Sequence, residues 1–325
     1  MRLVIAVFLL AFAALGAPLS LAAEEQPADT QSTDEPSSFD RFGLEEPDGE
    51  ALATFLIGQT AHGALLGLQS CALTDSCGDS ERGRATSALA GSGVGLGASF
   101  LYSRRTDITP GRAAAKNYGT LFGGLSGLLT TIALDDELNG DGTTALVAMM
   151  SGQLTGLTAG HYLGRSFDAT AGDVRLLEAG AGWTTFFYSG LQLNILDRDP
   201  SSREMALSYL GTLSVGTVGG GLLASHRPMT AERVRLINLG GALGGLLGFT
   251  AGRYARGEDA TRRQRSRAQW SGATAGAVVG LGTAFAITTN FDDPDLFQTS
   301  STSASLSVAP ADADGGFLAS LQGSF

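Results

Sequence analysis

The chain has 325 residues, among them 46 glycines, about twice the ~7% of average usage, and only 16% charged residues. There is no three-residue glycine period and only nine prolines, which excludes collagen; three histidines, two cysteines and the single Lys116 leave little material for metal clusters or lysine chemistry. The net charge of -11 sits in the tails, because residues 51–290 carry 17 acids against 19 bases, and a near-neutral body removes the electrostatic case for a nucleic-acid partner.

Residues 1–23 read as a signal peptide, with Arg2 before an apolar core at 4–15 and small residues at Ala22 and Ala23 for cleavage. Export to the cell envelope, either outer membrane or periplasm, follows from it. Residues 24–49 mix Glu, Asp, Pro, Ser and Thr without aliphatic periodicity, so they are expected to form an acidic disordered linker.

Residues 50–290 repeat themselves. Thr109, Thr170 and Thr230 open units 61 and 60 residues apart, and a glycine follows each threonine by ten positions: Gly119, Gly180 and Gly240. Intermediate starts near Asn139, Ser201 and Thr261, with earlier ones near Asp48 and Asp79, reduce the period to about 30 residues and give eight units. Each unit is predicted to be one helix, because its start carries an N-cap residue. Pro110 follows Thr109 at the first helical position, and Ser201 precedes Glu204 in capping-box spacing. The fold class is therefore all-α, about eight helices, with a short C-terminal hairpin.

Within the predicted helices the glycines keep four-residue spacing: Gly119, Gly123 and Gly127; Gly152, Gly156 and Gly160; Gly240, Gly244, Gly248 and Gly252; Gly272, Gly276 and Gly280. That spacing puts them on one helix face, where a second backbone can approach closely. Each interior glycine costs ~1 kcal/mol relative to alanine, so the ladders must be offset by packing.

Between helices, Cys71 and Cys77 share one short loop and are expected to pair in an oxidising compartment. Asp135, Glu137, Asn139 and Asp141, with Gly140, resemble the start of a calcium loop, but Leu146 stands where the bidentate glutamate belongs. A solvated turn is the preferred assignment and calcium the lesser alternative. Arg253, Arg256, Arg262, Arg263, Arg265 and Arg267 form the one basic concentration, with lipid phosphate or the acidic 135–141 loop as its expected partner. Residues 291–325 form a tail whose loosely alternating halves predict a β-hairpin.

Uncharged stretches of 17 to 23 residues approach a membrane span, yet mean hydropathy is only +0.13 and loop arginines show no positive-inside bias. These features predict a non-enzymatic envelope protein, a membrane-embedded or membrane-associated bundle with a structural or scaffolding role. Membrane lipid is the expected partner and a homo-oligomer is open, with no cofactor and no identifiable small-molecule substrate. A transport or channel component is the alternative, its path lined by Gln59, His62, Gln153, His161, Gln192 and Asn194. An outer-membrane β-barrel is a further alternative, supported by the terminal Phe325 and the alternation at 93–100.

Overall fold

A computed structural model of the chain describes residues 49–74, 77, 80–134, 142–195, 200–255 and 260–292, and the backbone of 304–311 and 316–323. Among the described residues the body is all-helical, with eight α-helices. They are α1 (Gly49–Leu73), α2 (Glu81–Ser103), α3 (Pro110–Leu134), α4 (Thr143–Ser166), α5 (Ala171–Ile195), α6 (Ser202–His226), α7 (Ala231–Tyr254) and α8 (Arg262–Ile287). A 3-10 turn, Thr289–Asp292, closes the body. Four of the helices, α1, α6, α7 and α8, are long and apolar enough to cross a membrane.

The barrel alternative is overturned, since no strand occurs among the described residues of the body and residues 93–100 lie inside α2. Their alternation has a helical origin: Gly91 and Gly95 abut α1, while Gly93 and Gly97 meet open space on the other side. Two glycine rows on opposite faces imitate a period of two. Beyond the body, the backbone traces β1 (Ala304–Ala311) and β2 (Gly316–Gly323), antiparallel with Ala304 opposite Gly323. The signal peptide, the acidic linker before Gly49, the loop residues Asp135, Glu137, Asn139 and Asp141, and Arg256 lie outside the described residues.

Helix starts follow from capping chemistry. The hydroxyls of Ser80, Ser201, Thr230 and Thr261 each accept from the backbone N–H three residues on, and Glu204 and Gln264 complete capping boxes. Thr170 and Asp173 exchange the same reciprocal bonds at the start of α5. Before the three repeated threonines stand Ile108, Ala169 and Met229, which pack with Ala113, Val174 and Val234 respectively. These are hydrophobic staples, repeated three times, that fix how α3, α5 and α7 enter the body.

Consecutive helices form four antiparallel hairpins, and the hairpins stack in chain order. The odd helices α1, α3, α5 and α7 touch in sequence, and α1, α3 and α5 also reach the even helix of the following hairpin. Two glycines set this stacking: a Cβ on Gly111 would strike the carbonyl of Ala169, and one on Gly172 that of Met229. The third repeat carries Glu232 at this position, exposed, where no later hairpin follows among the described residues.

Within each hairpin the backbones meet directly. Gly244 abuts Gly276 and Gly280, and Gly248 abuts Gly272 and Gly276; Gly240 meets Gly280 and Ala284, and Gly252 meets Ala268. Gly119 abuts Gly156 and Gly160, Gly123 abuts Gly152 and Gly156, and Gly127 lies on Ala148. At each of these positions an added Cβ would collide with the facing helix. Gly276→Leu is therefore expected to lower stability by at least ~1–3 kcal/mol. Gly282, on the same helix, has open space around it, so Gly282→Ala should raise stability by up to ~1 kcal/mol. Thermal unfolding in detergent, followed by circular dichroism, measures both.

Candidate functional site

The first two hairpins splay apart between α2 and α4 and leave a cavity of about 650 Å³. Its walls are apolar, with Leu66 from α1, Val94 and Ala98 from α2, and Leu154 and Leu157 from α4. Polar groups gather toward the end where α3 begins and α2 and α4 finish. Gln59, His62, Tyr102, Lys116, Gln153 and His161 all line the cavity. It is the place where this fold concentrates polar chemistry among apolar helices.

Lys116 is the centre of the group. It is the chain's single lysine, it sits in the second turn of α3, and its side chain is only 4% exposed. Its ammonium lies 3.4 Å from the ring centroid of Tyr102 and 4.9 Å from that of Phe55. Ring quadrupoles attract a cation so placed, by ~2 kcal/mol when the contact is desolvated. Among the described residues no carboxylate pairs with it. Tyr102 in turn shares a hydrogen bond with Nδ1 of His161 at 3.1 Å, which ties α2 to α4 across the cavity mouth. Gln59 donates from Nε2 to Asn117 Oδ1 at 2.9 Å, and Asn117 donates to the Thr54 carbonyl at 3.2 Å, so α1 and α3 are latched beside it.

Gln153 reaches into the same space against Gly124, where a Cβ would meet its Cγ at 2.7 Å. It is 2% exposed, and its side-chain oxygen has no hydrogen-bond partner. Two of the cavity's hydroxyls bond to their own helices: Ser99 donates to the Gly95 carbonyl at 2.6 Å and Thr120 to that of Lys116 at 2.8 Å. Lys116 thus lines the cavity without a carboxylate, and Gln153 with an unsatisfied oxygen.

Of the six polar residues expected along a transport path, the structure brings four together here: Gln59, His62, Gln153 and His161. Gln192 instead donates to Tyr188 on its own helix at 2.9 Å, and the side chain of Asn194 lies outside the described residues. Cys71 and Cys77 are joined as a disulfide with 5.5 Å between their Cα atoms, tying the end of α1 to the loop before α2. Arg262, Arg263 and Arg265 lie exposed in the opening turns of α8, and Arg265 donates to the Ala260 carbonyl at 3.0 Å. The site also uses Lys116 and Tyr102, and the closely packed Gly63, Gly67, Gly91 and Gly95, which sequence patterns alone do not mark as site residues. The chain's one lysine, four residues beyond Arg112 and before an uncharged stretch of α3, was the available signal, as was the four-residue spacing of those glycines. No known family, no curated protein and no solved structure matches this chain.

Tyr102→Phe keeps the ring under Lys116 and loses the bond to His161, so it should cost ~0.5–1.5 kcal/mol of stability. Tyr102→Leu also removes the cation's ring and should cost ~2 kcal/mol more. The order of the two unfolding midpoints, wild type above Phe above Leu, checks the assignment.

Proposed function

We propose that this chain is a membrane-embedded scaffold protein of the cell envelope, built from stacked glycine-faced hairpins and surrounded by lipid. One observation carries this reading: the bundle is small inside and apolar outside. Glycine and alanine line the seams within the hairpins, and bulky buried residues such as Phe55, Tyr118 and Met229 are few. Large apolar residues face outward instead, with Leu89, Val94, Leu247 and Val279 between 67% and 73% exposed. Water would penalise such a surface, whereas lipid tails accept it.

Charge placement supports the same reading for all eight helices. Charged residues fall in the first eight or last two positions of each helix, which leaves every helix an uncharged run of at least 17 residues. At ~1.5 Å per residue the shortest run is roughly 26 Å, close to the hydrocarbon thickness of a bilayer. The signal-peptide features of residues 1–23 and the absence of positive-inside bias favour an exported protein of the outer envelope over one of the inner membrane. A transport role is the second reading, favoured by the convergence of Gln59, His62, Gln153 and His161 on one cavity.

Alkaline carbonate extraction of the full-length protein from envelope fractions tests embedding. The protein should stay in the membrane pellet; release to the supernatant would contradict the proposal. Proteoliposomes that leak small polar solutes only when the protein is present would favour transport over scaffolding.

A further inference from the structure

We propose that the cavity between the first two hairpins binds a single-chain amphiphile with a carboxylate head group, the head at Lys116 and the chain lying along α1. This goes beyond the scaffold role and rests on the membrane-embedded reading, which carbonate extraction tests separately. Three independent observations meet in the site. The first is electrostatic: the chain's one lysine is 4% exposed, lines the cavity, and has aromatic rings but no carboxylate as partners among the described residues. Rings offset only part of the cost of taking an ammonium out of water, so a monoanion brought to Lys116 gains a strong partner.

The second is an unsatisfied amide. Gln153 is 2% exposed, lines the same space, and its side-chain oxygen is without a hydrogen-bond partner. Gln153 stands about two helical turns further along the cavity than Lys116, where its orphaned oxygen marks the same space as incomplete without an occupant. One cation suits a single negative charge. Among the described residues no second lysine or arginine lines the cavity, so a dianionic phosphate head would keep a charge uncompensated.

The third is the shape of the remainder. From Phe55 and Lys116 the cavity follows α1 past Leu66 to Ser70, a stretch of roughly 22 Å at ~1.5 Å per residue. Its mouth opens sideways between α2 and α4, where Val94, Leu154 and Tyr162 are exposed on the apolar surface. The polar end lies at the charged ends of the helices, and the apolar end points toward the middle and far side of the bundle. That is the orientation in which an amphiphile lies in a leaflet, so the ligand enters laterally without inverting.

The test uses full-length protein in nanodiscs of zwitterionic phosphatidylcholine, titrated with the fluorescent fatty acid cis-parinarate and competed with hexadecanoate, hexadecyl phosphate or hexadecanol. Saturable binding is expected, with hexadecanoate displacing the probe at least about tenfold better than hexadecanol. Lys116→Met should weaken binding by about tenfold or more, and Lys116→Arg should retain most of it. Equal competition by the alcohol, or unchanged binding to Lys116→Met, would overturn the proposal; better competition by hexadecyl phosphate would replace the carboxylate with a phosphate head and overturn that choice. Should Lys116→Met fail to fold by circular dichroism, Leu157→Trp leaves the lysine cluster alone and fills the cavity. That variant must lose the saturable component, and its persistence would place binding elsewhere and sink the assignment.

Discussion

Everything in this fold depends on helix backbones touching without side chains between them. The carbonyl oxygen of Gly276 occupies the place where a Cβ of residue 244 would stand, and Gly244 does the same to Gly276. Such reciprocity leaves glycine as the one residue that fits both positions. Each glycine costs ~1 kcal/mol of intrinsic helix stability. The return comes from van der Waals contact along the seam and from weak Cα–H···O contacts, which close approach makes possible. With the hairpin seams so thin, bulky residues have nowhere to go but outward or into the junctions between hairpins.

Those junctions differ, and the difference makes the site. Between the third and fourth hairpins, rings fill the space: Trp183 donates to Asn238 Oδ1 at 2.8 Å, and Phe186 packs on Trp270 with centroids 5.8 Å apart. Between the second and third, Tyr118 packs on Phe122 and shares a hydrogen bond with Thr217 at 2.6 Å. Between the first and second, Phe55, Tyr102 and Tyr162 cluster at the Lys116 end and the rest stays open. The polar end of the cavity is thus rigidly built, by cation–ring contact and the Tyr102–His161 bond, whereas its apolar length is left to whatever enters.

Much of the architecture was legible in the residues themselves. Helix number and starts could be read because capping is local: Ser201 and Glu204 are three positions apart, and their reciprocal bonds form within one turn. The cavity could not be read, because its lining comes from four helices and its key contacts bridge 58 or 59 positions, as between Gln59 and Asn117 or Tyr102 and His161. Lys116 was visible as the chain's one lysine, but its meaning depends on Tyr102 and Phe55, which only tertiary packing brings over it. Gln192 shows the limit of polarity as a guide, since a partner on its own helix satisfies it. Gly111 and Gly172 carry the stacking of hairpins, yet nothing local separates them from other glycines near a helix start; their obstacle is the carbonyl of a residue about sixty positions on.

Direct backbone contact is the central claim, and magic-angle-spinning NMR of glycine-labelled protein in lipid bilayers observes it without mutation. Carbonyl-to-Cα correlations should appear between Gly244 and Gly276, between Gly248 and Gly272, and between Gly123 and Gly152, pairs that no single helix can bring together. Spectra in which these glycines correlate only with neighbours on their own helix would contradict the fold described here.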